Sequence, residues 1–598
     1  MRKKFLVLIF SFAFLFNTFN AVPASASIPF ISALLGNFST MLVNKISDWL
    51  SNRTVEVLDD YFLKSGISIT AVKNKAETGN EEAQFYLGMI YENGRKVKRD
   101  YYEAARWYKK SAEQGYAKAQ NALADMYHKG LGVLKDDDEA LKWCKMAAAQ
   151  GYGTAQLNLG RMYLLGEGVN RDYAEAVKWL NAASKQEVAE AQYDIGYMYE
   201  NGLGFKQNNA EAFKWYKKAA ENGNAYAQNN LGGMYSKGIE VKQSYSEAMN
   251  WYKKAAAKGD DLAQFNLALY YANGRGGKKN YAEAVKWYKK SAEQENSNAQ
   301  NNLAVLYFEG QGVKKNIPEA LKWYKRAAEN GNAYAQFNLG VIYAKGQGVK
   351  QSYSEALKYW KKAAEQDNAS ALFNIGVMYA DGLGVKEDYS EAVKWYMRAA
   401  EKNSPQAQFN IGQMYFHGRA GKPDYLEAAK WYLKAAEQGI EQAQYNLGLM
   451  YEKGQGVKQN YSEAAKWYKK AAEQGLTQAQ YNLGVLYSNG QGVKQDYAEA
   501  VKWLTKAAEQ GDASAQYNLG NKYINGQGVK KDPAEAVKWY RKAAEQGKDN
   551  AQYNLGVIYY NGAGVKQDKA EAVKWLRKSA QQGYERAKNF LTRIGETW

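Results

Sequence analysis

Cysteine is almost missing from this chain: its 598 residues contain one, Cys144. A single thiol excludes a disulfide within the chain and any zinc site built on paired cysteines. The position follows Trp143, where most repeats described below carry Tyr, so Cys144 reads as a small helix-packing residue. Histidine is equally scarce. His128 and His417 stand far apart and read as surface residues, not as a metal pair or a catalytic couple. Proline occurs six times, and Pro533 lies just ahead of Ala534-Glu535-Ala536, where it suits a first helical turn. Past the N-terminus no run approaches the roughly 18 apolar residues of a membrane span. No glycine-rich loop follows a strand pattern, so a phosphate cradle has no support.

The N-terminus itself is patterned. Arg2, Lys3 and Lys4 precede an apolar run from Phe5 to Phe16, and Ala24-Ser25-Ala26 offers small residues for cleavage. This layout predicts a secretory signal peptide at 1–26, with a retained anchor as the alternative. The expected destination is the periplasm, the cell surface or the medium. Net charge is +18, and losing 1–26 removes three cations and no acid. The excess favours acidic partners, but no compact basic block stands out, so specific nucleic-acid binding is not expected.

What the chain has in abundance is periodicity. Ala83, Ala119 and Ala155 begin a series that continues through Ala443, Ala479 and Ala515 to Ala587 in steps of 36 residues. Fourteen periods pass without an insertion or deletion. Such a period predicts a stacked array with one continuous core and no internal domain boundary. In Glu441 to Gly475, residues Ala443, Leu447, Met450 and Tyr451 make one apolar face of a first helix. Gly454 and Gly456 end it, and Val457 anchors the connection. Ala464, Trp467, Tyr468 and Ala471 give the second helix its apolar face, with Lys466, Lys469 and Lys470 toward solvent. In the following repeat Asp496 stands three residues before Glu499, a capping-box spacing. Gly448 recurs at the same place in most repeats and predicts close helix contact, because Gly inside a helix costs about 1 kcal/mol relative to Ala. Tyr91 recurs in every repeat and Trp107 in all but one, where Tyr359 and Trp360 trade places; both series read as core packing with a polar tip.

Residues 479–511 resemble the Sel1-like repeat family: Ala479-Gln480-Tyr481-Asn482-Leu483-Gly484, then Gly490-Gln491-Gly492-Val493, then Glu499-Ala500. The likeness extends over about 71–598. It implies an all-α, right-handed superhelical solenoid of fourteen helix-turn-helix repeats, related to tetratricopeptide repeats, whose first helices line a concave surface. It also implies protein recognition or scaffolding, often at bacterial envelopes or host contacts. Cysteine-rich secreted members tie their helices with disulfides, which this chain does not share. Residues 27–70 do not fit the period and read as an N-terminal helical cap, with a membrane-associating or dimerising hairpin as the rival. Residues 71–79 match the tail of a second helix, and 584–598 a truncated last one.

No catalytic constellation or cofactor motif emerges. The repeated Glu463, Glu499 and Glu535 read as caps instead of paired catalytic carboxylates. One stripe remains, two positions after the Ala landmarks: Phe85, Tyr193 and Phe265, then an unbroken run of Phe337, Phe373, Phe409, Tyr445, Tyr481, Tyr517 and Tyr553, with Asn121, Asn229, Asn301 and Leu157 in the other repeats. By the tetratricopeptide likeness it faces the groove. Beside it run Asn446, Asn482 and Asn518, whose amides suit a peptide backbone; packing between neighbouring helices is the alternative for both series. The adjoining position varies, with Met89, Asp125, Arg161, Tyr197, Gly233 and Gln413 in some repeats and Val305, Val341, Val377, Val485 and Val557 in others. The sequence therefore reads as an exported, non-enzymatic scaffold that binds protein or peptide partners. A binder of cell-wall glycan or anionic envelope polymer is the alternative.

Overall fold

The computed structural model describes residues 68–94, 97–419 and 421–598. The expected signal peptide at 1–26, and all but the end of the expected cap at 27–70, lie outside them. Thirty helices and no strand occur among the described residues. The chain divides into two compact units, 1–330 and 331–598. The period does not mark this division, since Ala299 and Ala335 stand the usual 36 residues apart.

In the first unit a helix at Ile69–Glu77 precedes seven helix pairs, from Glu81–Asn93 with Tyr101–Glu113 to Ser297–Glu309 with Ile317–Glu329. In the second, seven pairs run from Ala333–Lys345 with Tyr353–Glu365 to Asp549–Asn561 with Lys569–Gln581, and Glu585–Arg593 ends the chain's helices. Almost every helix is 13 residues long. Helices of that length are marginal alone in water, so packing must hold them. Both half-repeats appear: Ile69–Glu77 buries Val72 and Ala76, and Glu585–Arg593 buries Ala587, Phe590 and Leu591.

Within a pair the expected apolar residues meet. Ala443, Leu447 and Met450 are buried, Tyr451 is half-buried, and Ala464, Trp467, Tyr468 and Ala471 are buried opposite them. Gly448 is where the helices approach most closely: a Cβ there would lie 2.7 Å from the Tyr468 ring. Leu180 of another repeat takes the role of Tyr468 against Gly160, and the fully buried Trp360 takes it against Gly340. This accounts for the exchange of Tyr359 and Trp360, since the inner position accepts any large side chain that the glycine leaves room for. Cys144 occupies the same inner position and is buried, its thiol pushed up to about 12 by burial.

Two devices join one repeat to the next. Gly456 has φ +69°, and a Cβ would sit 2.1 Å from the Tyr425 carbonyl oxygen of the preceding repeat. Only glycine lets the loop rest on that helix start. A buried Gln supplies the second device. Gln444 Nε2 donates to the Ala436 carbonyl at 3.0 Å, and its Oε1 accepts from Gln474 Nε2 at 2.8 Å. These bonds satisfy a buried amide and, at the same time, a carbonyl left over at a helix end.

One expectation fails in detail. Asp496 does cap its helix, accepting from the Ala498 and Glu499 N–H groups. Glu499 does not reach back to complete the box, because the Asp496 N–H already donates to the Tyr487 carbonyl at 3.0 Å. Its carboxylate instead accepts from Trp503 Nε1 at 3.1 Å and Lys502 Nζ at 2.8 Å. The same bond orients the Trp of seven repeats.

Candidate functional site

The seven aromatic residues of the stripe sit on successive first helices of the second unit, and all are half-buried. Each is neither core nor free. Rings rest on the inner residue of their own second helix: Phe373 on Tyr396 at 5.7 Å between centroids, Phe409 on Tyr432 at 5.8 Å, Tyr445 on Tyr468 at 5.7 Å and Tyr517 on Tyr540 at 5.9 Å. Tyr481 packs on a cluster containing Leu504. Phe337 differs, its carbonyl accepting from Trp360 Nε1 at 3.1 Å. Tyr553 meets Tyr584 and Phe590 of the chain's end at 5.4 and 6.4 Å. No ring pair among the described residues joins one stripe member to the next, so the stripe is a row of separate rings and not one continuous apolar strip.

Asparagines lie between the rings. Asn482 lies by the hydroxyls of Tyr445 and Tyr468 and favours their ionisation, as Asn518 does for Tyr481 and Asn446 for Tyr432. These amides thus lie beside tyrosine hydroxyls of the preceding repeat. The first unit repeats the geometry, in part with other side chains. There Phe85, Tyr193 and Phe265 keep the ring, while Asn121 and Asn229 take the stripe position in two repeats and accept from Asn158 and Asn266 at 3.0 Å. Stripe and ladder form one inter-repeat coupling. The sequence listed both series but not their pairing, which joins positions 37 residues apart on different helices.

Burial raises the hydroxyl pKa of Tyr445 and Tyr481, and the Asn amides ease it. Tyr468 is pushed far up, first by burial and then by donating to Glu452 Oε2. All three hydroxyls stay neutral at physiological pH. The variable position splits: Met89, Val305, Val341 and Val377 are buried, whereas Val485 and Val557 are half-buried. Arg161 there forms an ion pair with Asp194, Nε to Oδ2 at 2.6 Å and Nη2 to Oδ1 at 3.3 Å.

Nothing in this geometry activates a nucleophile or pairs carboxylates. Among the described residues no group of three His, Cys, Asp or Glu is placed to hold a metal ion, and no helix is long and apolar enough to cross a membrane. His128 Nδ1 lies 2.8 Å from Asp137 Oδ1, and burial lowers the pKa of His417. What the surface can do is present half-buried rings, held from beneath, to another molecule.

Stacked helix pairs of this kind, coupled by loop glycines and buried amides, define an α-helical repeat protein. A family model described as Sel1 repeat matches fourteen consecutive segments, from 81–116 to 549–584. The chain belongs to the Sel1 repeat family, whose members generally mediate protein–protein interaction. A protective antigen of uropathogenic Escherichia coli with an SLR fold is 32% identical, with 88% of this chain and 97% of that one covered and a TM-score of 0.52. A Sel1 repeat protein from Oxalobacter formigenes is 35% identical over 52% of this chain and 90% of that one, with a TM-score of 0.41. The comparison with curated proteins gave no match.

Proposed function

We propose that the chain is an exported adaptor that binds protein or peptide partners through the first-helix face of residues 337–553, on the concave side implied by the resemblance. The observation that carries this is the row of half-buried rings seated on second-helix residues. An anchor already fixed before binding loses little conformational freedom when it binds, and aromatic anchors dominate interface energies. Phe337, Phe373, Phe409, Tyr445, Tyr481 and Tyr517 are the contact residues; Tyr553, against the terminal helix, closes the row. Asn446, Asn482 and Asn518 fix the spacing between rings. The role is non-enzymatic, and no cofactor enters it. Export rests on the pattern of residues 1–26, and the relative's description as a protective antigen of a pathogen is consistent with it.

Replacing Tyr445, Tyr481 and Tyr517 together by Ala is expected to abolish partner capture, identified by mass spectrometry, while helicity persists. Losing clustered anchors costs about 2 kcal/mol or more each at an interface. Undiminished capture by this variant would place the binding surface elsewhere. Intact mass after expression in an exporting host should show an N-terminus at Ser27; a chain still carrying 1–26 ends the export assignment.

A second reading has its own observation. Lysines sit over successive Trp rings of the second helices, Lys434 on Trp431 at 4.0 Å, Lys470 on Trp467 at 4.1 Å and Lys542 on Trp539 at 4.2 Å. Such a row suits an anionic envelope polymer. Binding through it would weaken steeply with salt, whereas capture by the aromatic row would change little.

A further inference from the structure

The buried Gln device fails in one place. In twelve repeats a Gln or Asn at the end of the second helix donates to the Oε1 of the buried Gln on the first helix, as Gln294 does to Gln264 at 2.9 Å and Gln510 to Gln480 at 2.8 Å. Two repeats carry Lys at the donor position, Lys258 and Lys402. Opposite Lys402 the Gln is replaced by the buried Leu372, so no acceptor is stranded. Opposite Lys258 the Gln remains. Gln228 is 4% exposed, and its Oε1 has no hydrogen-bond partner, while its Nε2 donates to Ala220. The Lys258 ammonium turns away and donates to the Gly223 carbonyl.

A pocket of about 540 Å³ lies against this residue, lined by Gln228, Trp251, Lys254, Lys258 and Glu221. The Glu that precedes the donor position in most repeats is Ala257 here, which removes an acid from the rim and widens the mouth. A buried carbonyl oxygen without a donor is costly, and the site is completed by a ligand that brings one. Lys254 and Lys258 call for an anion beside that donor. Lys254 Nζ lies 3.8 Å from the centre of the Trp251 ring and covers one of its faces, so the ring is no open platform for a sugar. An acidic residue in an extended peptide presents a carboxylate and a backbone N–H a few ångströms apart, and a second N–H can meet Glu221. We propose that this pocket, in the first unit and separate from the aromatic row, binds an acidic peptide segment: its carboxylate between Lys254 and Lys258, its N–H on Gln228 Oε1.

The test is titration calorimetry of the full chain with an octapeptide alternating Glu and Ser, against its Gln/Ser counterpart. The Glu peptide is expected to bind at least tenfold more tightly. Lys258→Gln restores the amide pair of the other repeats, so it should reduce binding at least tenfold while the melting temperature holds or rises. Gln228→Leu, which copies the Leu372 and Lys402 arrangement, should also weaken binding with both lysines in place. The Tyr445, Tyr481 and Tyr517 triple Ala variant should bind as the parent does. Undiminished binding by Lys258→Gln or by Gln228→Leu overturns the assignment, as does loss of binding in the triple variant. Preference of the parent for hexagalacturonate over the Glu peptide would make the site saccharide-specific and overturn the peptide reading.

Discussion

Asp194 in the first unit and Asn482 in the second occupy the same register position, and they show how one period can be held together by different chemistry. Asn482 lies beside Tyr445 and Tyr468, neutral hydroxyls of the preceding repeat. Ahead of Asp194 the stripe residue is Leu157, which offers no hydrogen bond, and Arg161 supplies the contact instead. Asp194 is buried, and its carboxyl is held above the ordinary carboxylate range, chiefly by burial, with Arg161 opposing the rise. Most joints place a polar residue here, although Ala122 holds the position in the second repeat. The period does not demand a particular pair. A neutral pair tolerates loss of one member, since the other can find water at a half-buried site; a buried charge cannot.

The sharpest test of that contrast removes the cation. Arg161→Val leaves Asp194 buried without its partner and should destabilise the first unit by about 3–5 kcal/mol. Asp194 would then hold its proton in the folded chain well above the unfolded value. Its contribution to stability is present at low pH and is lost as pH rises through that raised value. The deficit against the parent should therefore be large at neutral pH and shrink in acid. Combining Arg161→Val with Asp194→Asn removes the buried charge, although Leu157 and Leu180 offer the new amide no hydroxyl, and should recover most of the lost stability. Hydrogen exchange of amides in 153–224 is the measurement, because a repeat array need not unfold in one step. A deficit that is independent of pH would refute the ion-pair account.

Next comes what the two regions share. Both place a glycine against a bulky inner residue, Gly160 under Leu180 and Gly448 under Tyr468. Gly448→Leu should lower the stability of its neighbourhood by about 1–3 kcal/mol through overpacking. The benchmark is Leu447→Ala, a plain core deletion expected to cost about 2–5 kcal/mol. If Gly448→Leu melts like the parent, close helix contact is not what the glycine series serves.

The smallest effect compares two tryptophans of the second unit. Trp503 Nε1 donates to Glu499, whereas Trp539 Nε1 is buried with no partner, although both Glu499 and Glu535 also pair with a Lys three residues on. Trp503→Phe should cost about 1 kcal/mol more than Trp539→Phe, since only the first loses a hydrogen bond. Equal shifts in paired thermal melts would remove orientation of Trp from the role assigned to the Glu series.

Much was legible in the sequence because a strict repeat multiplies every weak signal. One Leu at a helical interval says little, but Leu447, Leu483, Leu519 and Leu555 at one register position identify a core, and all four are buried. Loop glycines, caps and the half-repeats at 69–77 and 585–593 were legible for the same reason. The candidate surface was less so. Stripe and ladder were visible as series, yet their coupling is set by which helices face each other across a joint, which no spacing within one helix reveals. The buried Gln was in plain view in Ala479-Gln480 and went unassigned, because a polar residue on a helix carries no mark of its burial.

By itself the sequence determined the fold class, the period, the helix pairs and their capping residues, since these follow from local propensity and from apolar spacing within a few turns. Only the tertiary structure decided which polar groups meet across helices: Asn158 with Asn121, Gln474 with Gln444, and Gln228 Oε1 with no donor. The physical reason is distance along the chain. Contacts three or four residues apart are fixed by helix geometry, but partners 30 to 37 residues apart are fixed only once two helices have packed and left each buried donor or acceptor a limited choice.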